Sequence, residues 1–420
     1  MPDIALLDGV VPTLLPVSAL TGLVWLLVHT RPRPITACLV AAAAVTATAA
    51  WLATDVWLLF PDRLEPRTYC SIGVAVLAAL LALAGRRALG ALVALLVIAA
   101  CANRINADFA AYPTLRSVFE PHAPNEIAFR DVRPAPAAQL DPGPLEQTWQ
   151  PPPGLPATGR ITRTRIPGTE SGFQARPAEI YLPPAYFAVP RPRLPVLVLL
   201  SGQPGSPDDW LTSGNLVTTM DGFAARHHGL APVVVVADGT GGTWKNPLCA
   251  DTGRARAATY LSVDVPAWIH THLTVAEEAR GWAIAGSSYG GTCAIQPALA
   301  RPEVYPTFLG MSAESQPSLG DPERTLGEGF DGDTAAFARA DPLALLRARS
   351  YPDTAGVVSV GTAADDTVPE AKKISAALRA AGVRVRFLEV PGGHDWTVWS
   401  GVLEQVLPWL AERSGVVGSS

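Results

Sequence analysis

The run WAIAGSSYGG places an apolar stretch, 282–286, directly before Gly286-Ser287-Ser288-Tyr289-Gly290, and a helical pattern follows at 289–300. In a chain with 36 glycines a five-residue G-x-S-x-G means little by itself; between a strand and a helix it has a mechanical meaning. Its glycines let the backbone bend sharply and approach its neighbours closely. That lifts the middle serine to the top of a sheet and turns the first N–H groups of the next helix toward it. Ser288 is therefore the expected nucleophile, and the competing reading is a glycine-rich turn that merely packs strand on helix.

A serine hydroxyl needs an imidazole to take its proton and a carboxylate to fix the imidazole's tautomer. His394, in VPGGHDW, follows the last apolar run in a loop that two glycines leave free. The other histidines are less suitable: His227, His228, His270 and His272 fall on or beside expected helices ahead of the serine, His29 ends an apolar segment, and His122 sits among prolines. The acid should follow the apolar run 356–361, where GTAADDTVP offers Asp365, in D-x-x-V-P spacing with Pro369, and Asp366 as the alternate. Asp395 should point away from its neighbour's ring and be structural. An oxyanion hole needs two convergent backbone donors. One is the N–H of Tyr289; the other is that of Gln203 in SGQPGSPDDW, because Pro204 has none to give.

The elements that must hold these residues alternate between short apolar runs and helical patterns from about residue 160 onward, which implies an α/β domain with a largely parallel sheet. Strands are expected at 161–166, 177–183, 194–201, 232–238, 282–286, 307–312, 356–361 and 385–390. Helices are expected near 208–226, 260–273, 289–300, 368–381 and 396–413. In open α/β sheets chemistry gathers at the carboxyl ends of the strands, which is where Gln203, Ser288, Asp365 and His394 fall. DGTGG, 238–242, also follows a strand but lacks the helix and basic partner of a phosphate loop, and is expected to border the acyl site.

The order LLSGQPG, DxxxxxxxYLSVDVPAWI (251–268), GSSYGGTCA and PGGHDW resembles the esterase family of α/β hydrolases that includes esterase D and the antigen 85 mycolyltransferases. The similarity covers about 170–410. It implies ester hydrolysis or acyl transfer without metal or other cofactor, and Ser288, Asp365 and His394 as the triad. Where many members carry His or Asp before the oxyanion glycine, this chain has Ser201, so the backbone donor is kept while substrate preference differs.

The rest of the chain is unlike a soluble globule, with 49% hydrophobic and only 16% charged residues against about 25% charged in an average domain. The segments 9–28 and 35–53 hold no charge and are long enough to cross a bilayer. The apolar stretch from Tyr69 to Asn103 is split by Arg86 and Arg87, each costing roughly 2.5–3.5 kcal/mol at mid-membrane, so a hairpin of 69–85 and 88–103 is expected. No basic residue precedes the first segment, where Asp3 and Asp8 stand, and this disfavours the alternative of a signal peptide followed by a buried core. Arg31 and Arg33 lie in the first loop and Arg86 and Arg87 in the third, while the second mixes Arg63 and Arg67 with Asp55, Asp62 and Glu65. The positive-inside rule then sets the N-terminus and everything after 103 outside, and four spans resemble the membrane-anchored actinobacterial members of the family. The prolines 121, 124, 134, 136, 142, 144, 151, 152, 153 and 156 make 104–158 a linker, leaving 159–414 for the α/β-hydrolase domain.

A net charge of −5, with no basic run, rules against nucleic acid as a partner. Cys38, Cys70 and Cys101 fall in or beside spans, which leaves Cys249 and Cys293 as a candidate disulfide bracing the nucleophile helix, or as two buried thiols. The expected partner is a small-molecule, lipid or glycan ester. Two other classes compete: a catalytically silent envelope-binding module on the same fold, which the complete set of triad residues disfavours, and a transporter, which would need polar residues within the spans.

Overall fold

The computed structural model describes residues 4–57, 59, 64–85, 87–119 and 125–418, in two compact units that meet in sequence at residue 121. Asp3, Asp62, Arg63, Arg86, Pro121, His122 and Pro124 lie outside the described residues.

The first unit is helical: α1 (Val10–His29), α2 (Pro32–Trp51, continued by a wider turn over Leu52–Val56), α3 (Pro66–Gly85) and α4 (Ala88–Phe109). All four are long and apolar enough to cross a membrane. Leu26, Ala78, Leu81 and Val97 form its buried core, whereas Leu14, Leu20, Val40, Leu92 and Leu95 face outward. Such a surface matches a hydrocarbon surround and not water. α4 runs six residues past the expected 103, because its last turns are polar and internally paired. Arg104 and Arg67 approach the Asp108 carboxylate at 3.1 and 3.3 Å. The chain before α1 is hydrogen-bonded to the chain after α4, Leu6 N–H to the Pro113 carbonyl (2.9 Å) and Leu115 N–H to that of Ile4 (2.8 Å). Both ends of the four-helix unit are thus on one side.

The second unit is built on a nine-stranded sheet: β1 (Glu126–Ala128), β2 (Arg160–Thr164), β3 (Ala178–Leu182), β4 (Val196–Leu200), β5 (Val233–Ala237), β6 (Trp282–Ser287), β7 (Thr307–Met311), β8 (Ala355–Gly361) and β9 (Arg384–Val390), in the order β1-β2-β3-β5-β4-β6-β7-β8-β9. From β5 to β9 all pairings are parallel, and β3 is antiparallel to both neighbours. The central strands VLVLL and VVVVA are buried at every position because helices cover both faces, while edge strand β9 alternates. All eight expected strands are present. The expected helix 208–226 is broken at Asn215, which stands at φ 51°. Helices at Thr334–Ala340 and Pro342–Ala348 were not expected, although each opens on an aspartate cap, Asp333 and Asp341.

The largest difference concerns 104–158. Its start completes α4, and from 125 onward it packs on the second unit instead of running free. Proline forbids helix and central strand, but extended backbone can still lay its carbonyls along a surface. Pro136 accepts from Arg191 N–H (2.9 Å), the N–H groups of Leu145 and Glu146 reach the carbonyls of Gly415 and Val416 (both 2.9 Å), and β1 adds a parallel edge to β2. Trp149 is 5% exposed. Trp149→Ala should therefore lower the stability of the second unit by about 3 kcal/mol, read as a shifted denaturation midpoint in near-ultraviolet circular dichroism; a cost below about 0.5 kcal/mol would mark the segment as a dispensable wrapping.

Candidate active site

Ser288 stands between β6 and the helix Tyr289–Ala300 with φ 56° and ψ −124°, a conformation that non-glycine residues seldom adopt. Three backbone bonds hold it there: its N–H donates to the Met311 carbonyl at the end of β7 (2.8 Å), and its carbonyl accepts from Gly291 (2.8 Å) and Thr292 (3.1 Å). The flanking glycines are required sterically. A Cβ on Gly290 would stand 2.6 Å from the carbonyl oxygens of Leu200 and Ser201, and one on Gly286 would collide with the Gly290 carbonyl. Ser287 is fully buried, away from any reactant.

His394 comes from the loop after β9. Its Nε2 lies 2.8 Å from Ser288 Oγ, and its Nδ1 3.2 Å from Thr367 Oγ1. With the ring proton on Nδ1, the imidazole donates to Thr367 and presents the Nε2 lone pair to the serine hydroxyl. The Trp399 indole meets the ring edge-on, with centroids 5.1 Å apart. Burial disfavours the imidazolium and lowers the His394 pKa to about 4, against a small upward pull from Asp395. Asp395 itself accepts from Gly393 N–H (2.9 Å) and caps the helix Trp396–Arg413 through Val398 N–H (3.0 Å), the structural role expected of it.

The carboxylate expected at Nδ1 is not there. Asp365 and Asp366 are both exposed and neither bonds His394; Thr367, missed in the sequence, takes the position. The reason is local. The turn closes through Thr367 and Val368 N–H onto the Ala364 carbonyl (both 3.0 Å), and Ala363 N–H donates to the Gly392 carbonyl (2.8 Å). Asp365 and Asp366 are therefore at the tip of the turn, and the first residue of the helix Thr367–Ala380 faces the histidine loop.

Gln203 lies in the turn after β4, buried, and a Cβ on the preceding Gly202 would be 3.2 Å from Ser288 Cβ, so this turn abuts the nucleophile. Tyr289 opens its helix, where an N–H has no intrahelical acceptor. Beside Gly202 a small polar cleft is lined by Ser201, Ser206, Asp238, Gly239, Thr240 and Arg176, which puts the DGTGG loop at the site's border. Burial pushes the Asp238 carboxyl up, but the Arg176 guanidinium (2.8 Å) and nearby N–H groups outweigh it and hold the carboxyl below its ordinary value. Cys249 and Cys293 are bridged, with Cα atoms 5.4 Å apart.

Residues 173–410 match the family model described as "Putative esterase", and the chain belongs to that family. An uncharacterized protein of Corynebacterium glutamicum is 35% identical over 387 residues, a match covering 89% of this chain and 88% of the relative. Among solved structures, a ferulic acid esterase (19% identity, TM-score 0.53) is matched over 62% of this chain and 100% of its own. An S-formylglutathione hydrolase from Agrobacterium tumefaciens (19%, TM-score 0.51) is matched over 61% and 96%. At that identity the two structures bear on the fold alone, and they share that of the second unit.

The imidazole can act as a base only when neutral, so activity is lost as pH falls through its pKa. With a free-enzyme pKa of about 4, kcat/KM measured with a p-nitrophenyl ester should stay level from pH 7 down to 5 and bend near pH 4. A bend near the ordinary histidine value would show that the ring is not desolvated in solution.

Proposed function

We propose that the protein is a membrane-anchored, extracytoplasmic serine esterase or acyltransferase with Ser288 as nucleophile and His394 as base. The observation that carries this reading is the 2.8 Å contact between His394 Nε2 and Ser288 Oγ at a strained strand-to-helix turn. Ser288 Oγ attacks the ester carbonyl while Nε2 takes its proton. The carbonyl oxygen becomes an oxyanion received by the N–H groups of Gln203 and Tyr289. Collapse breaks the ester C–O bond, the imidazolium returns the proton to the departing alkoxide, and water or a second alcohol resolves the acyl-enzyme by the same steps.

Asp365 is the proposed acid, engaging Nδ1 during turnover in place of Thr367. A base with a pKa near 4 accepts a proton poorly at neutral pH, and a hydroxyl cannot balance the imidazolium charge as a carboxylate does. Asp365→Asn should therefore lower kcat by about 10⁴-fold, while Thr367→Val changes it only a few-fold; the reverse order would make Thr367 the orienting group. A hydroxyl in place of a carboxylate at Nδ1 also favours one rival, a catalytically silent envelope-binding module. Labelling the purified protein in detergent with a fluorophosphonate separates the two. Label lost in Ser288→Ala and His394→Ala and kept in Ser287→Ala supports catalysis, and a folded wild type that takes up no label supports the silent module.

Placement outside the cytoplasm rests on three supports. Arg31 and Arg33 in the first loop and Arg87 in the third favour the cytoplasmic face for those loops. The bonded ends of the helical unit support an even number of crossings. The Cys249–Cys293 bridge suits an oxidising compartment. Alkaline phosphatase fused after residue 420 should be active and green fluorescent protein fused there dark; the opposite pair of results would put the domain in the cytoplasm.

A further inference from the structure

Resting on that catalytic reading, we infer that the loop 239–249 is a strut between the two halves of the oxyanion hole, with the Tyr289 hydroxyl as the positioning group that locks it. The loop leaves the end of β5 and returns along the nucleophile helix. Tyr289 Oη ties its two ends together, donating to the Gly239 carbonyl (3.2 Å) and accepting from Cys249 N–H (3.0 Å). Burial pushes the phenol pKa up, so the proton that makes the first of these bonds is kept at any working pH.

Two further side chains of the same helix hold the returning end. Cys293 is disulfide-bonded to Cys249, and Gln296 Nε2 donates to the Leu248 carbonyl (3.1 Å). Residues 289, 293 and 296 are spaced four and three apart, so they form one stripe on the helix. The middle of the loop grips the other half of the site. Its Thr243 carbonyl accepts from Gly205 N–H (3.1 Å), and its Trp244 carbonyl from Gln203 Nε2 (3.4 Å). One donor of the oxyanion hole belongs to Tyr289 and the other to Gln203, so a displacement of the strut changes the distance between them. Nothing in the G-x-S-x-G pattern demands a hydroxyl after the nucleophile, and the fold supplies this use for one.

The test uses the full-length protein in detergent with p-nitrophenyl butyrate as the probe, comparing wild type, Tyr289→Phe, wild type reduced by a phosphine, and the reduced variant. Tyr289→Phe should lower kcat roughly 10-fold, short of the 10²–10³-fold that follows complete loss of a donor, with KM little changed. Affinity for a trifluoromethyl ketone, which forms a hemiketal oxyanion on the serine, should fall by the same factor. Reduction acts on the same strut, so reduced Tyr289→Phe should lose less than the product of the two separate losses. Unchanged kcat in both Tyr289→Phe and the reduced wild type overturns the strut, and so does a loss in which KM and the thermal midpoint worsen in step with kcat while inhibitor affinity holds. Turnover that persists in Ser288→Ala would instead overturn the catalytic reading itself.

Discussion

The backbone of Ser288 is the constraint on which the second unit is organised. A non-glycine residue at positive φ in a sparsely populated region costs on the order of 1–3 kcal/mol, and it persists only where surrounding structure over-determines it. Here that structure is three adjacent parallel strands: β6 carries the serine, β7 takes its N–H at Met311, and β4 crowds Gly290 with the carbonyls of Leu200 and Ser201. The crowding is what requires glycine at 286 and 290.

Two of these strand ends, those of β4 and β7, also hold the histidine loop, through aromatic contacts. Trp210 donates to the Leu200 carbonyl (3.1 Å) and meets Trp396 edge-on at 5.1 Å; Trp396 meets Trp399 at 5.0 Å, and Trp399 meets His394 at 5.1 Å. Trp399 also donates to Ser312 Oγ (3.0 Å), just past the end of β7. Edge-to-face pairs contribute about 0.5–1.5 kcal/mol each beyond burial, so the chain fixes the imidazole to the elements that fix the nucleophile. Its apolar bulk is also what desolvates the ring and depresses its pKa. Firm placement of His394 and a weak resting base are therefore two results of one cause, and a carboxylate arriving at Nδ1 would relieve the second without disturbing the first.

Most of this frame was legible in the sequence because the burial pattern writes it there: strands covered on both faces read as unbroken apolar runs, and the runs 194–201, 232–238 and 282–286 became β4, β5 and β6. The serine and the histidine were legible because steric need places glycines beside them. Legibility ended where geometry depends on a turn tip. Nothing in GTAADDTVP states which of three consecutive polar residues faces the histidine, and the structure puts Thr367 there. It ended too where polar or proline-rich chain is laid down largely by backbone bonds. β1 is three residues of an edge strand with no full alternation to read, and the stretch around Trp149 is held by carbonyls that any sequence carries and by the burial of that one indole. The strut was invisible for another reason, since its ends meet at a tyrosine 40 and 50 residues away in the chain.

The disulfide links the site's chemistry to the compartment the domain occupies. Its two cysteines are 44 residues apart, one at the return of the 239–249 loop and one on the helix that begins with Tyr289, the proposed oxyanion donor. In a reducing cytoplasm that bridge would open, leaving the loop's return tied to the helix Tyr289–Ala300 by the Tyr289 and Gln296 hydrogen bonds; in an oxidising one it is kept. On the proposed topology the helical unit, whose two ends are bonded together, returns the chain to the side it started from. In that topology, the side on which Arg31 and Arg33 remain decides the redox state of a bond that braces the proposed oxyanion site.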